Sequence, residues 1–348
     1  MTLTIRSKET ELKVLFVGGT GLISSACSDL AVARGIELWM LNRAGSVKYR
    51  PPEGAHTLTG DVRGDERDLA HLIEGQTFDA VVDWIAYTPD DIERDIRLFS
   101  RKTRQFVFIS SASAYQTPPE SYLITEETPL SNPFWQYSRD KIACERRLME
   151  EYQRRAFPVT IVRPSHTYGP SQLPLAVGSW QHPYTAIARM KRGEPIIVHG
   201  DGTSLWVVTW NADLAVGLVG LLGRDDAIGE AFHITSDEVL TWDQITLEVG
   251  RALGVEPNIV HIPSDLIAAY DPDSAGGLLG DKAHSVVFDN AKIKRFVPGF
   301  DCGVPFRVGV RRAISWFEAD QARRSVDIAA EQTWDALIAG YARASPQP

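Results

Sequence analysis

Cysteine is scarce in this 348-residue chain: Cys27, Cys144 and Cys302 are three, widely spaced and odd in number. That excludes a disulfide framework and a cysteine-based metal site, and it suits a reducing compartment. Long hydrophobic runs are missing too. No apolar stretch approaches the ~20 residues that span a bilayer, and the polar opening MTLTIRSKETELK reads as no signal peptide. Positive charge is outnumbered, 36 Lys and Arg against 45 Asp and Glu, for a net charge of -9. A polyanionic partner is disfavoured on that count, because nucleic-acid binding rests on neutralising phosphates. Internal repeats and low-complexity tracts are absent. What remains, 44% hydrophobic and 23% charged residues, is the composition of a globular protein long enough to bury a core. The expectation is a cytoplasmic protein with a small-molecule ligand, no metal, no membrane partner and no nucleic acid.

Apolar strands and helical patterns alternate through the first half. LKVLFVGGTGLISSACSDLAVARG runs from an apolar stretch through glycines into a helix. IELWMLNR, TLTGDVRG, FDAVVDWIAY, RQFVFISSASAY and PVTIVRPSHTYGP read as further strands, with helices at DLAHLIEG, DDIERDIRLFS and from about Phe134 to Tyr152. Such alternation predicts βαβ units and a mostly parallel sheet, and a run like VLFVGG fits burial on both faces. Beyond Pro170 the rhythm breaks. SQLPLAVGSWQHPY is loop-like, TAIARMKRG and TWDQITLEVGRALG are helical, and Thr241 or Asp243 can cap the latter. SDLIAAYDPDSAGGLLGDKAHS reads as a mobile flap. The expected division is residues 1–172 as one unit, with segments near 203–224 returning to it, and 173–348 mainly as a second lobe.

Gly18 and Gly21 fall where the first strand turns into the first helix. Small residues there let backbone N–H groups approach a pyrophosphate at the positive helix end. Ser24 occupies the position of a third glycine. At the end of the second strand, Asn42-Arg43 stands where a carboxylate would accept a ribose 2′-hydroxyl. Arg43 therefore suits a 2′-phosphate, adenine stacking or a plain solvated strand end. Asp61 in TGDVRG is a partner for an adenine amino group or a turn residue.

Tyr137 and Lys141 lie one helical turn apart in YSRDK, so their side chains can share a face. A free tyrosine, with a pKa near ~10, is a poor base; a nearby ammonium and a cationic nicotinamide would favour its phenolate. VFISSASAY supplies Ser111 and Ser113 just past a strand end, where ligands bind in open α/β sheets.

The order of GGTGLIS, GDV, VFISSASAY, YSRDK and RPSHTYGP resembles the extended short-chain dehydrogenases/reductases of the NAD-dependent epimerase/dehydratase family. The resemblance implies an α/β, Rossmann-type doubly wound parallel sheet with a smaller C-terminal substrate-binding lobe, and NAD or NADP as cofactor. It implies Tyr137 as acid/base, Lys141 on the nicotinamide ribose and lowering the tyrosine pKa, and Ser111 orienting the reacting hydroxyl. It assigns Gly18, Thr20, Gly21, Leu22, Ile23, Asn42, Arg43, Asp61, Val62, Trp84, Ile85, Ala86, Ser110, Pro164 and His166, with Tyr137 and Lys141, to the cofactor. Ser113, Trp135, His166 and Trp206 are the expected substrate contacts.

Two departures bear on substrate. His166 stands where relatives acting on nucleotide-activated sugars carry an asparagine, and Trp206 falls near an arginine that grips the diphosphate. Losing such charged hydrogen bonds costs about 1.5–3 kcal/mol each. The substrate is therefore expected to be a sugar, nucleoside or related polyol without a diphosphate, stacked on Trp135, Trp180, Trp206 or Trp210. The acidic pair that sugar-nucleotide dehydratases place after the catalytic hydroxyl is replaced by Ala112, Ser113 and Ala114; Glu120, Asp83 and His182 are candidate acids. The chemistry is hydroxyl oxidation, transient in an epimerase or dehydratase and net in a dehydrogenase or reductase. A reductase of a small carbonyl substrate and a non-catalytic dinucleotide-sensing or RNA-binding relative are the alternatives. The resemblance also implies a homodimer or higher homo-oligomer; Ile92, Ile96 and Phe99 form a helical stripe that would seam it or pack on the parent sheet.

Overall fold

The computed structural model describes residues 12–43, 45 and 48–344, so nearly all of the polar opening lies outside the described residues. In chain order it begins β1 (Lys13–Val17), α1 (Leu22–Ala33), β2 (Glu37–Asn42), β3 (His56–Thr59), α2 (Glu66–Leu72), β4 (Ala80–Asp83), α3 (Pro89–Phe99) and β5 (Phe106–Ile109). There follow β6 (Leu123–Ile124), α4 (Gln136–Arg155), β7 (Val159–Pro164), β8 (His166–Tyr168), α5 (Tyr184–Arg192), β9 (Pro195–His199), β10 (Leu205–Trp210) and α6 (Asn211–Leu221). The last third holds β11 (Ala231–Ile234), β12 (Val239–Thr241), α7 (Trp242–Leu253), β13 (Asn258–Ile262), α8 (Ser264–Tyr270), α9 (Pro272–Gly277), a π-helical turn (Leu278–Lys282), β14 (Val287–Phe288), α10 (Ala291–Phe296), α11 (Phe306–Glu318) and α12 (Ile328–Ala344).

The main sheet runs β3-β2-β1-β4-β5-β7-β11, and every pair in it is parallel. Its inner strands β1, β4, β5 and β7 are largely apolar because both faces are covered, whereas the edge strand β3 is largely exposed. Side chains alternate across a strand, so Val14 and Phe16 of β1 join Ala80, Val82, Val107 and Val162 on one face, where Cys27 of α1 and Leu214 of α6 pack. Leu15, Val17, Val81, Phe108 and Ile161 join Ile92 of α3 and Leu148 of α4 on the other. Each such side chain contributes roughly 1.5–3 kcal/mol by burial. The strand order reverses direction between β1 and β4, which opens a crevice at the carboxyl edge there.

Of the two readings of the Ile92, Ile96 and Phe99 stripe, packing on the parent sheet is the one observed. Three expectations change. The return to the first unit reaches past 203–224, since β11 closes the sheet beside β7 and Ile293 of α10 joins the same core. The strand expected across PVTIVRPSHTYGP breaks at Ser165 into β7 and β8, which pair in different sheets. The expected flap is regular structure: α8, α9 and the π-helical turn. The remaining elements build a smaller lobe on a core that contains Trp206, Trp210 and Trp242. There α7 is capped by Thr241, whose hydroxyl accepts from Gln244 N–H at 3.1 Å while the Gln244 side chain accepts from Thr241 N–H at 2.8 Å. No described helix is long and apolar enough to cross a membrane.

Candidate active site

Because the strands are parallel, the carboxyl ends of β1, β2, β4, β5 and β7 all reach one edge, where a cleft of about 1530 Å³ opens. Drug-sized ligands fill roughly 300–1,000 Å³, so this cleft has room for a dinucleotide and a second molecule. After β1 the chain turns on Gly18 (φ +97°) and Gly19 (φ +116°), a region open mainly to glycine. A Cβ at Gly18 would press on Trp84 Cβ at 3.2 Å, and one at Gly19 on Met40 Cε at 2.7 Å. Gly19 was not among the expected residues, although its place in the Gly-Gly pair was the signal. Ser24, in the third glycine position, accepts Gly21 N–H at 2.8 Å and so caps α1.

Most of the expected residues line this cleft: Gly18, Thr20, Gly21, Leu22, Ile23, Asn42, Arg43, Asp61, Val62, Trp84, Ile85, Ser110, Ser111, Ser113, Trp135, Tyr137, Lys141, Pro164 and His166. Asn42 Nδ2 is buried there without an acceptor. Asp61 also serves its own turn, accepting Arg63 N–H at 3.0 Å. Three expectations shift. Trp206 is 1% exposed in the core of the smaller lobe and does not face the cleft; Trp210 is buried likewise. Ala86 is buried, acting through its carbonyl. The Ser110 hydroxyl turns inward to Glu145, which is clamped by Arg163 at 2.6 Å.

Tyr137 and Lys141 share the face of α4 turned to the sheet. The helix starts where Asn132 Oδ1 accepts the N–H groups of Phe134 (3.2 Å) and Trp135 (3.1 Å). Lys141, 3% exposed, donates from Nζ to the carbonyls of Ala86 (2.7 Å) and Ile109 (2.8 Å). Its ammonium lies 4.6 Å from the Tyr87 ring centre and 5.8 Å from that of Tyr137. Burial draws its pKa down to about 8, so it remains mostly charged at pH 7. Burial pushes the Tyr137 phenol up to about 12; Tyr87 and Asp281 add to the rise and the Ser111 hydroxyl opposes it. The phenolate expected from the Tyr-Lys pairing is thus not preformed in the protein alone. Ser111, Ser113 and Ser138 form a hydroxyl chain, 2.9 Å and 2.8 Å between successive Oγ atoms.

On the far side of the cleft, sequence reasoning missed Gln172, Asp273, Asp281 and Lys282. Asn132 Nδ2 donates to the Gly280 carbonyl at 2.6 Å, docking the π-helical turn onto the start of α4. Asp281 and Lys282 follow, 3.6 Å apart. Asp61, Asp273 and Asp281 are the carboxylates among the described lining residues. Of the expected acids, Asp83 is buried beneath the site, while Glu120 and His182 are tied to Gln116 and Ser325 away from it. His166 lines the cleft with Nδ1 buried and unpartnered, and burial holds its pKa down to about 3, so the ring is neutral.

A glycine turn at positive φ, an orphaned strand-end amide and a buried lysine below a phenol fit an NAD-type cofactor at this edge of the sheet. Residues 14–235 match the model of the NAD dependent epimerase/dehydratase family, and the chain belongs to that family. It is 26% identical to the 2'-dehydrokanamycin reductase of Streptomyces kanamyceticus over 87% of this chain and 84% of that one. It is also 26% identical to the chloroplast stem-loop binding protein of 41 kDa b of Arabidopsis thaliana, over 73% and 67% of the two chains. Among solved structures, an epimerase of Methanothermobacter thermautotrophicus superposes with a TM-score of 0.74 at 18% identity, covering 91% of this chain and 95% of that one.

Proposed function

We propose that the chain oxidises a hydroxyl, or reduces the matching carbonyl, of a sugar, nucleoside or related polyol that carries no nucleotide diphosphate. The observation that carries this reading is the meeting of Ser111, Tyr137 and Lys141 in one cleft, with Lys141 anchored to two carbonyls below the phenol. The glycine turn, Asn42, Arg43 and Asp61 would hold the adenosine and pyrophosphate portions of the cofactor, and Lys141 the nicotinamide ribose. When bound, the nicotinamide supplies a hydride acceptor or donor and a positive charge in its oxidised form. Lys141 keeps one proton for a ribose hydroxyl after giving two to carbonyls. Tyr137 moves the proton of the reacting hydroxyl, and the Ser111 hydroxyl holds its oxygen. Ser113 and Ser138 back Ser111 so that its hydroxyl stays oriented.

Beyond Pro164, Lys282 is the cationic residue among the described lining residues. A diphosphate placed there would leave most of its charge unmatched. Neutral His166, Gln172 and Trp135, with Asp281 accepting or donating, suit a polyol better. The relative named as a 2'-dehydrokanamycin reductase supports net reduction as the second reading. The stem-loop binding relative raises nucleic acid as a partner, but the net charge of -9 weighs against it. The Arg43 side chain, exposed at the adenosine end, leaves NAD and NADP both admissible.

Denaturing the purified protein and identifying any released dinucleotide by mass spectrometry tests the reading. Tightly held NAD favours an epimerase or dehydratase that regenerates its cofactor. An empty protein that prefers NADPH favours a reductase. A protein that binds no dinucleotide in either oxidation state overturns the proposal.

A further inference from the structure

β4 ends in a carboxylate that the cleft does not use. Asp83 is fully buried, and its Oδ1 accepts the N–H groups of Ile85 (2.6 Å) and Ala86 (2.7 Å). Those two bonds fix the turn that places the Ala86 carbonyl on Lys141 Nζ. Asp91, in the first turn of α3, holds the next two residues, its Oδ2 accepting from Tyr87 N–H at 2.9 Å and Thr88 N–H at 3.1 Å. Four consecutive backbone N–H groups thus hang from two carboxylates.

Behind Asp83 sits Asp95 of α3, also fully buried. Asp95 Oδ1 accepts from Arg94 Nε (3.1 Å) and Nη2 (3.0 Å), and Arg94 Nη1 reaches Asp91 at 3.1 Å. The remaining oxygens, Asp83 Oδ2 and Asp95 Oδ2, are both buried with no donor. The two carboxyls lie within hydrogen-bonding reach of each other. Two carboxylates in such contact do not both ionise, and one proton between them supplies the missing donor. Charge agrees: Asp83, Asp91 and Asp95 face two cations, Arg94 and Lys141. With one proton the cluster is neutral, as buried charges require.

We propose that Asp83 and Asp95 form a proton-sharing pair that positions Lys141 through the Ala86 carbonyl and sets its charge, with the proton on Asp95 and the charge on Asp83. Asp83 Oδ1 already accepts two amide hydrogens. Burial and the Asp83 charge both push the Asp95 carboxyl upward, with Arg94 opposing. Lys141 feels Cys144 and Glu145 from its own helix, Asp83 from β4 and Asp91 from α3. Cys144 is a neutral thiol, pushed up to about 12, and Glu145 is paired with Arg163. Arg97 also senses Asp95 from the outer face of α3. The rings of Tyr87, Phe108 and Tyr137 complete the surroundings of the ammonium. Asp83, which has no side-chain ion pair among the described residues, is therefore the acidic neighbour whose field favours the Lys141 ammonium against the larger effect of burial.

The inference rests on the placement of Lys141 in the proposed site, so its test reads the titration of Lys141 itself. In the full chain, competitive acetylation followed by mass spectrometry gives the pH midpoint of the Lys141 amine without turnover. Asp83→Asn retains the acceptor for Ile85 and Ala86 while transferring the charge to Asp95, away from Lys141. Its Lys141 midpoint should fall by about one pH unit, and the alkaline limb of dinucleotide affinity should fall with it. Asp95→Ala strands Asp83 Oδ2, and should lose tenfold or more in dinucleotide affinity; Asp95→Asn, whose amide replaces the donor, should restore it. A midpoint unchanged in Asp83→Asn overturns the proposal. If that variant does not fold, the Asp95 pair decides: equal affinities for Asp95→Ala and Asp95→Asn overturn it, and rescue by Asn supports it. A shifted midpoint with unchanged activity would leave the pair standing and count against Lys141 as a working residue.

Discussion

Replacing Lys141 by methionine separates the cost of burying a cation from the bonds it makes. Burial lowers the ammonium pKa from 10.5 to about 8, and at ~1.36 kcal/mol per unit the charged form costs the fold about 3 kcal/mol at any pH below 8. Methionine removes that cost but leaves the Ala86 and Ile109 carbonyls without their donor, at about 1–3 kcal/mol each. The two effects nearly cancel, so Lys141→Met should match the wild type in stability at pH 7, within about 1–2 kcal/mol. The pH dependence then distinguishes them. Between pH 8 and 10.5 the unfolded chain binds the lysine proton more tightly than the fold does, so wild-type stability from this group rises with pH. At pH 9.5 the wild type should have gained about 2 kcal/mol on the variant. The raised phenol and thiol pKa values, which weaken both proteins in alkali, cancel in the comparison; the loss of Lys141 near Cys144 only adds to the variant's deficit. Urea unfolding followed by tryptophan fluorescence, at both pH values and without dinucleotide, measures the difference. A gap that stays constant, or that moves toward the variant, refutes the buried-cation argument.

Tyr137→Phe removes the proposed proton carrier without touching the glycine turn; turnover should fall by at least ~100-fold while dinucleotide affinity by calorimetry stays within about twofold. With its folded pKa pushed up to about 12, Tyr137 should remain a phenol in the dinucleotide-free protein up to pH 11, seen as tyrosinate absorbance that this variant does not reduce. Asp281→Asn should raise KM for the substrate about tenfold with little change in stability, since Asp281 faces the cleft beside Lys282; an unchanged KM removes it from the substrate side. Trp206→Phe should cost about 1–3 kcal/mol of stability by opening a void against Trp242, yet leave KM unaltered. A KM effect there would return Trp206 to the substrate site.

The cofactor half of the cleft was legible because each part is local in sequence. Gly18, Gly19 and Ser24 lie within one strand-to-helix turn, and Tyr137 and Lys141 within one helical turn, so spacing alone brings them together. Trp206 misled because an aromatic ring suits a core as well as a sugar platform; its setting in LWVVTW, a strand buried almost end to end, was the better signal. Ile92, Ile96 and Phe99 left two readings open for a different reason. A stripe at helical spacing shows that one face is buried, not what buries it. The charges of α3 and α4 point the other way: Glu93 pairs with Arg147, and Arg147 with Glu151 at 2.8 Å. Any contact between copies through these helices would therefore be polar.

The substrate half was illegible because it is assembled across the fold. Asp281 and Tyr137 are brought together by an interface in which glycine acts through size rather than flexibility. A Cβ at Gly280 would meet Asn132 Oδ1 at 2.9 Å and Trp135 Cβ at 3.0 Å, and one at Gly276 would collide with the Trp135 indole. Read along the chain, DPDSAGGLLGDK has the glycine content of a flexible flap; in the structure those glycines let a π-helical turn lie directly on the start of α4. Asn132 enforces the same contact, donating to Gly280 and to the Ser113 carbonyl at 2.8 Å while accepting the two amides that begin the helix. One buried side chain thus ties the Ser111–Ser113 turn, the Tyr137 helix and the Asp281 turn together. Asn132 accordingly fixes how residues 276–282 sit on the cleft, and of the tryptophans that drew attention in the sequence Trp135 and Trp180 line the cleft while Trp206 and Trp210 support the smaller lobe from its core.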